Sequence, residues 1–287
     1  GEHVIASDIP AVLTTTRDIV VLEDGDLAEI KADSLYVEHA GVEVNRTVQR
    51  VTWDPVTAQK GGFKHFMLKE IHEQPQVVAD TMRGRVELDS FKAVLPELSL
   101  SDETIKDLKR VVLVACGTAW HACLIAKFYI EKLARIPCEV DYASEFRYRS
   151  PILSKDTLVV AISQSGETAD TLAAIEMAGV SSPTLAICNV LGSSISRKVQ
   201  STIFTHAGPE ISVASTKAFS TQLTAAYLLA IKLAQVRGTI KEEESKVLIE
   251  SLLRLPGAVD QVMECAEAVE LAARKYHSVR DFLFVAR

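Results

Sequence analysis

The sequence predicts an α/β protein, a doubly wound parallel-sheet sandwich preceded by a partial β-rich segment. Three observations point there. After residue 102, five β-branched apolar runs alternate with helical patterns. Those runs are apolar almost without interruption, as strands covered on both faces are. Residues 19–51 instead alternate apolar and polar positions in short pieces, the period of half-exposed antiparallel strands.

Taken in order, IVVLE (19–23), a turn at Asp24-Gly25-Asp26, LAEIK (27–31), LYVEH (35–39), a turn at Ala40-Gly41 and VEVNRTVQRV (42–51) read as a β-meander. So few hairpin residues bury little apolar surface alone. They are expected to end a domain that begins upstream, or else to form a small self-sufficient module. DPVTAQKGG (54–62), with Pro55 and Gly61-Gly62, has linker chemistry. The divisions expected are residues 1–58, a linker at 59–64, a main domain over 65–275, and the start of a further one at 276–287. A helix from about His65 should set Met67, Leu68 and Ile71 on one face, with Pro75 interrupting it or opening a second piece near 76–83.

The five strands are VVLVAC (111–116), CEVDYA (138–143), TLVVAIS (157–163), TLAICNV (184–190) and STIFTHA (201–207). Helical stripes between them are Leu124, Ile125, Phe128 and Leu133, then Leu172, Ile175 and Met177, then a long buried helix over 216–236. A helix over 242–255 should break at Pro256, and another should run over 258–275.

Composition narrows the function. The 287 residues hold 31 Lys and Arg against 38 Asp and Glu, a net charge of −7, with no basic stripe. Nucleic acid is therefore not an expected partner. The longest apolar stretch, 218–234, is interrupted by Ser220, Thr221, Gln222, Thr224 and Lys232, which suits a buried helix and not a membrane span. No secretory signal opens the chain, and a cytoplasmic location is expected. Cys116, Cys123, Cys138, Cys188 and Cys265 show no metal-ligand spacing and read as reduced, mostly buried thiols. The chain opens on Gly1 and stops just after FLFVA (282–286); both ends are expected to be cuts in something larger.

Ligands of open α/β sheets bind beyond the carboxyl ends of the strands. The loop there with most chemistry is Ser163-Gln164-Ser165-Gly166-Glu167-Thr168, which puts three hydroxyls, an amide and a glycine where a helix begins. Unpaired N–H groups and the helix dipole favour an anion at that position, and a phosphate fits. The alternative is that Ser165 and Thr168 are helix caps and Glu167 a partner of the dipole. No GxxxxGK[ST] or GxGxxG follows any strand, which disfavours a nucleotide. Ser163 lacks a GxSxG setting for a nucleophile, His206 reads as a packed core-edge histidine, and His121 as structural. Glu210 and Lys217 flank a third loop and read as a charged pair at the site rim, or as a surface pair beside a capping Ser215.

Together CGTAWHA (116–122), ASEFRYR (143–149), SQSGETADTLAA (163–174), AICNV (186–190) and VASTKAFSTQ (213–222) resemble the first sugar-isomerase (SIS) half of the isomerizing glutamine:fructose-6-phosphate amidotransferase family. MLKEIHEQP (67–75) is similar to the start of that isomerase domain. SDIPAVL (7–13) and VVLEDGDLAEI (20–30) are similar to the end of the family's glutaminase domain, of Ntn-hydrolase-like fold. The resemblance implies transfer of glutamine-derived ammonia to fructose 6-phosphate and isomerisation to glucosamine 6-phosphate, with no cofactor and no metal, in a homodimer. It implies that Thr118, Ser163, Gln164, Ser165 and Thr168 hold the sugar phosphate, while Cys116, Gly117, Val213, Ala214 and Ser215 line the sugar. Ala119 stands where some members have a serine, so one phosphate contact is lost or passed to water. The nucleophilic cysteine and the acid/base residues of the family match no position here, so no catalytic residue is expected in this chain. A second reading is a non-catalytic SIS module that senses sugar phosphates; the glutaminase-like front end speaks against it.

Overall fold

The computed structural model describes residues 3–6, 9, 12–13, 15–51 and 60–283. Residues 52–59, which include most of the DPVTAQKGG run and the first residue of the expected linker at 59–64, and the end of the FLFVA run lie outside them. The chain divides into two compact units, Gly1–Lys64 and His65–Arg287.

In the first unit β2 (Asp26–Ile30), β3 (Leu35–His39) and β4 (Val42–Glu43) form an antiparallel sheet. Ala40 and Gly41, at φ 51° and 79°, close its second hairpin, the left-handed pair that a two-residue hairpin turn requires. β1 (Asp18–Val20) departs from a simple meander and pairs antiparallel with β5 (Val48–Arg50). One carboxylate organises the hairpin. The Asp26 side chain is fully screened from solvent, accepts from Arg46 Nε at 2.9 Å and Nη2 at 2.8 Å, and lies 3.0 Å from His39 Nδ1. The Arg46 guanidinium, helped by the Glu23 backbone N–H, holds its pKa well below the usual carboxylate range.

The second unit is built on a five-stranded parallel sheet in the order β12-β11-β10-β8-β9. The strands are β8 (Arg110–Ala115), β9 (Cys138–Tyr142), β10 (Thr157–Ser163), β11 (Thr184–Cys188) and β12 (Ser201–Phe204), each within a few residues of its apolar run. Alternate residues feed two cores. Leu113, Val160, Ile162 and Ile187 face one cluster with α3 (Thr118–Tyr129) and α7 (Lys217–Arg237); Val112, Val114, Val159 and Ala186 face another with α5 (Ala169–Gly179). Helices on both faces make the sheet doubly wound.

The stripes that touch the sheet differ from those expected. α3 buries Ala119, Ala122, Cys123 and Ala126 while Phe128 is exposed, and α5 buries Ala174 and Ala178 with Ile175. Small residues let a helix lie close to a sheet already filled by branched side chains. α3 runs on into a π-helical turn, Ile130–Ala134, that ends at left-handed Arg135. The short α4 (Ala143–Tyr148) and α6 (Ser194–Lys198) follow β9 and β11; neither had a periodic stripe to announce it.

Both prolines expected to break helices sit inside them. α1 is continuous over Phe66–Met82, and α8 over Glu242–Met263. At Pro75 the backbone has no N–H for the Ile71 carbonyl, and the Gln74 side-chain amide donates there instead at 3.1 Å. Gln74 Oε1 then accepts from Ser220 Oγ of α7 at 2.6 Å. The break assigned to Pro256 falls at residues 264–265, before α9 (Ala266–Tyr276). α1 also turns a different face inward. Met67 and Leu68 are exposed, whereas Glu70 is buried with Val77 and Val78. β6 (Val86–Glu87), β7 (Lys92–Ala93) and α2 (Asp102–Asp107, capped by the Ser101 hydroxyl on the Thr104 N–H) lead into the sheet. No helix among the described residues is long and apolar enough to cross a membrane.

Candidate functional site

Reading the parallel strands in chain order, the sheet runs second, first, third, fourth, fifth. The order reverses between β8 and β10, and such a switch point opens a crevice at the strands' carboxyl ends. Two of the sequence-selected loops leave those two strands. Cys116, half-buried, leads from β8 to exposed Gly117, whose φ of 61° turns the chain into α3 at Thr118. Residues 163–168 lead from β10 into α5. Two helix N-termini therefore face one crevice, each with unpaired N–H groups.

The loop after β10 is shaped by its own hydroxyls. Ser163 Oγ accepts from the Gly166 N–H at 2.9 Å, and Ser165 Oγ accepts from the Glu167 N–H at 3.2 Å. Each hydroxyl, engaged as acceptor, keeps a proton to donate. Thr168 is the N-cap residue of α5, and its side chain makes no cap hydrogen bond. Glu167 reaches across to the neighbouring helix, where its Oε1 accepts from the Ser194 N–H of α6 at 2.8 Å. Gly166 is required. Its φ is 70°, and a Cβ there would stand 2.5 Å from Ser193 Oγ, 2.7 Å from Ser193 Cβ and 2.8 Å from Cys188 Sγ.

The loop after β12 is held in part by a side chain with no role assigned from sequence. Asn189, buried beyond β11, accepts through Oδ1 from the Ala207 N–H at 2.8 Å and Thr205 Oγ1 at 3.1 Å, and donates through Nδ2 to the Gly208 carbonyl at 2.7 Å. Its presence in the AICNV motif was the one available signal. Glu210 and Lys217 do not pair. Glu210 Oε1 accepts from the Thr216 and Ala218 N–H groups at 2.8 and 3.2 Å, and its Oε2 accepts from Ser215 Oγ at 3.2 Å. Glu210 is thus the cap of α7, the part expected of Ser215. Lys217 is buried and donates to Glu73 of α1 at 2.7 Å. Val213 and Ala214, at the crest, are exposed.

Trp120, in the first turn of α3, stacks on Tyr142 at the end of β9 with ring centroids 4.3 Å apart. His121 is exposed and meets the Trp120 ring edge-on, and His206 is exposed with a left-handed φ of 54° in place of the packed position expected. All five cysteines are free thiols; Cys116 is half-buried and Cys265 exposed. Burial pushes the Cys188 thiol up, and burial together with Glu131 takes Cys138 to about 12. These are the pKa values of inert core thiols. Among the described residues no cluster of His, Cys, Asp and Glu could hold a metal ion.

Residues 104–232 match the SIS domain family. Over its full length the chain is 49% identical to glutamine–fructose-6-phosphate aminotransferase [isomerizing] of Clostridium tetani, of which it covers 47%. It is 43% identical to the protein of the same name from Methanosarcina mazei, again covering 47%. The chain spans about half the length of these curated relatives. Among solved structures, the C-terminal domain of glucosamine-fructose-6-phosphate aminotransferase from Francisella tularensis superposes with a TM-score of 0.72 at 35% identity, over 77% of this chain and 61% of that one.

Proposed function

With residues 104–232 belonging to the SIS domain family, we propose that this chain supplies the sugar-phosphate cradle of an isomerizing glutamine–fructose-6-phosphate aminotransferase. The observation that supports it is the pairing at the switch point of two helix N-termini, one bearing Thr118 and the other the SQSGET loop. The phosphate binds to Thr118, Ser163, Gln164, Ser165 and Thr168. Its charge is met by N–H dipoles and hydroxyl donors, without a lysine. Cys116, Gly117, Val213, Ala214 and Ser215 border the sugar, which is fructose 6-phosphate on entry and glucosamine 6-phosphate on exit.

Residues 1–58 are assigned to the end of the glutaminase part, 59–64 to the linker, 65–275 to the first isomerase half, and 276–287 to the start of the second. The chain on its own binds sugar phosphate and turns nothing over, because the groups that open the ring and move protons belong to the second half. The whole enzyme works in the cytoplasm as a homodimer. Similarity to the aminotransferases along residues 1–64 as well as the SIS segment favours this reading over a regulatory SIS module.

The test is thermal unfolding across a fructose 6-phosphate titration, with inorganic phosphate and fructose as comparisons. Ligand at about a hundred times its dissociation constant stabilises by roughly 2.7 kcal/mol. The Ser165→Ala, Thr168→Ala double variant should lose that shift and keep its unliganded Tm within a few degrees. No shift with any phosphate ligand would reject the cradle.

A further inference from the structure

The loop between Gly208 and Lys217 has no regular secondary structure, and its crest at Ile211, Val213 and Ala214 is exposed. Burial of its own side chains therefore cannot fix where Val213, Ala214 and Ser215 lie. Polar ties do so. At one end Asn189 grips the turn at 205–208, and at the other Glu210 and the ion pair of buried Lys217 with half-buried Glu73 fix the start of α7. The middle has one tie. Glu70 of α1, 2% exposed, accepts through a single oxygen, Oε1, from two successive N–H groups, Ile211 at 2.7 Å and Ser212 at 3.1 Å. Its Oε2, together with Ser212 Oγ, is buried without a hydrogen-bond partner, so the carboxyl is committed to these two N–H groups alone.

We propose that Glu70 is a positioning residue for sugar recognition: by gripping the Ile211 and Ser212 N–H groups it sets the loop that borders the sugar, while the phosphate cradle stands without it. This rests on the reading of the site given above. It deepens that reading by separating sugar recognition, which depends on α1, from phosphate capture, which depends on the turns after β8 and β10. α1 lies outside the matched SIS segment of 104–232, so the residue that sets the sugar's loop comes from beyond the domain's own signature.

The experiment compares the whole chain with Glu70→Ala and Glu70→Gln. Amide exchange is read without ligand, and affinities are measured for fructose 6-phosphate and for inorganic phosphate. Two hydrogen bonds lost in Glu70→Ala should speed exchange at 210–213 at least about tenfold while β8 and β10 keep their protection. Affinity for fructose 6-phosphate should fall about tenfold and that for phosphate by less than about twofold. Glu70→Gln keeps an acceptor oxygen and should restore both readouts; Glu70→Met, which fills the space without an oxygen acceptor, should restore neither, whereas a purely space-filling role would have it restore both. If Glu70→Ala does not fold, Glu70→Asp, one methylene short of the loop, should show the same pattern. Unchanged exchange at 210–213, or equal loss of phosphate and sugar-phosphate affinity, would overturn the proposal. A wild-type chain that took no sugar phosphate would sink the cradle instead, and exchange alone would then uphold or overturn the grip of Glu70 on the loop.

Discussion

Replacing Gly166 by alanine tests the geometry of the loop after β10 with a single methyl group. Two costs add. The backbone φ of 70° is left-handed, which asks about 1–2 kcal/mol of a residue with a Cβ. The new carbon would meet Ser193 Oγ at 2.5 Å, Ser193 Cβ at 2.7 Å and Cys188 Sγ at 2.8 Å, and overpacking of that kind costs about 1–3 kcal/mol. None of the three is the far end of a flexible chain, since both residues are buried and their side chains touch at 3.4 Å. The sum is about 2–5 kcal/mol, a fall in Tm on the order of 10 °C for a unit of this size. Urea unfolding followed by circular dichroism measures it. A second variant separates the two parts, because Ser193→Gly in the Gly166→Ala background removes two of the three contacts and should recover about 1 kcal/mol, a positive coupling. A loss below about 1 kcal/mol in the single variant, or no coupling to Ser193, would refute the argument that close approach and handedness both demand glycine here.

Asn189→Ala should cost about 2–4 kcal/mol in the same assay, since it strands the Ala207 N–H, the Thr205 hydroxyl and the Gly208 carbonyl; a loss of under about 1 kcal/mol would show that the turn at 205–208 holds itself. For Asp26 the folded pKa lies below the ordinary 3.8, so its stabilisation of the hairpin is present above about pH 4 and is lost as the pH falls towards the folded pKa. NMR of the β2–β3 amides down an acid titration should show the hairpin loosening only well below pH 4, and Arg46→Ala should move that change upward. Alkylation at pH 8 should label exposed Cys265 fast and leave Cys123, Cys138 and Cys188 unmodified until the protein unfolds, as their burial and raised pKa values require.

Where interactions are local or periodic, the sequence was easy to read. TLVVAIS at 157–163 became β10 over the same seven residues, because a strand buried on both faces needs every position apolar. SQSGET stood out because small hydroxyls and a glycine before a helix suit either a cap or an anion site. Readings failed where a residue answers to something far along the chain. Pro75 was given its local meaning, and the side chain of Gln74 cancels it. Glu70 went unremarked, because the N–H groups that account for its burial lie 141 and 142 residues away. Glu210 and Lys217 invited a pairing by proximity, yet the lysine's partner, Glu73, is 144 residues away. The small-residue faces of α3 and α5 were missed because hydrophobic periodicity favours large side chains, while contact with a sheet favours compact ones.

α1 precedes the SIS match and packs against α7 and α8, and it reaches the far loop through Glu70 and Glu73. A boundary drawn at residue 104 would keep all five strands and both turns at the switch point, and so would look whole by pattern. It would also take from Lys217 its Glu73 partner and from the Ile211 and Ser212 N–H groups their acceptor, and leave one flank of α7 bare. The portable block, the piece that recombination or design can move from one protein to another intact, is therefore longer than the signature by which it is recognised, and its first indispensable residue is on the helix that begins at Phe66.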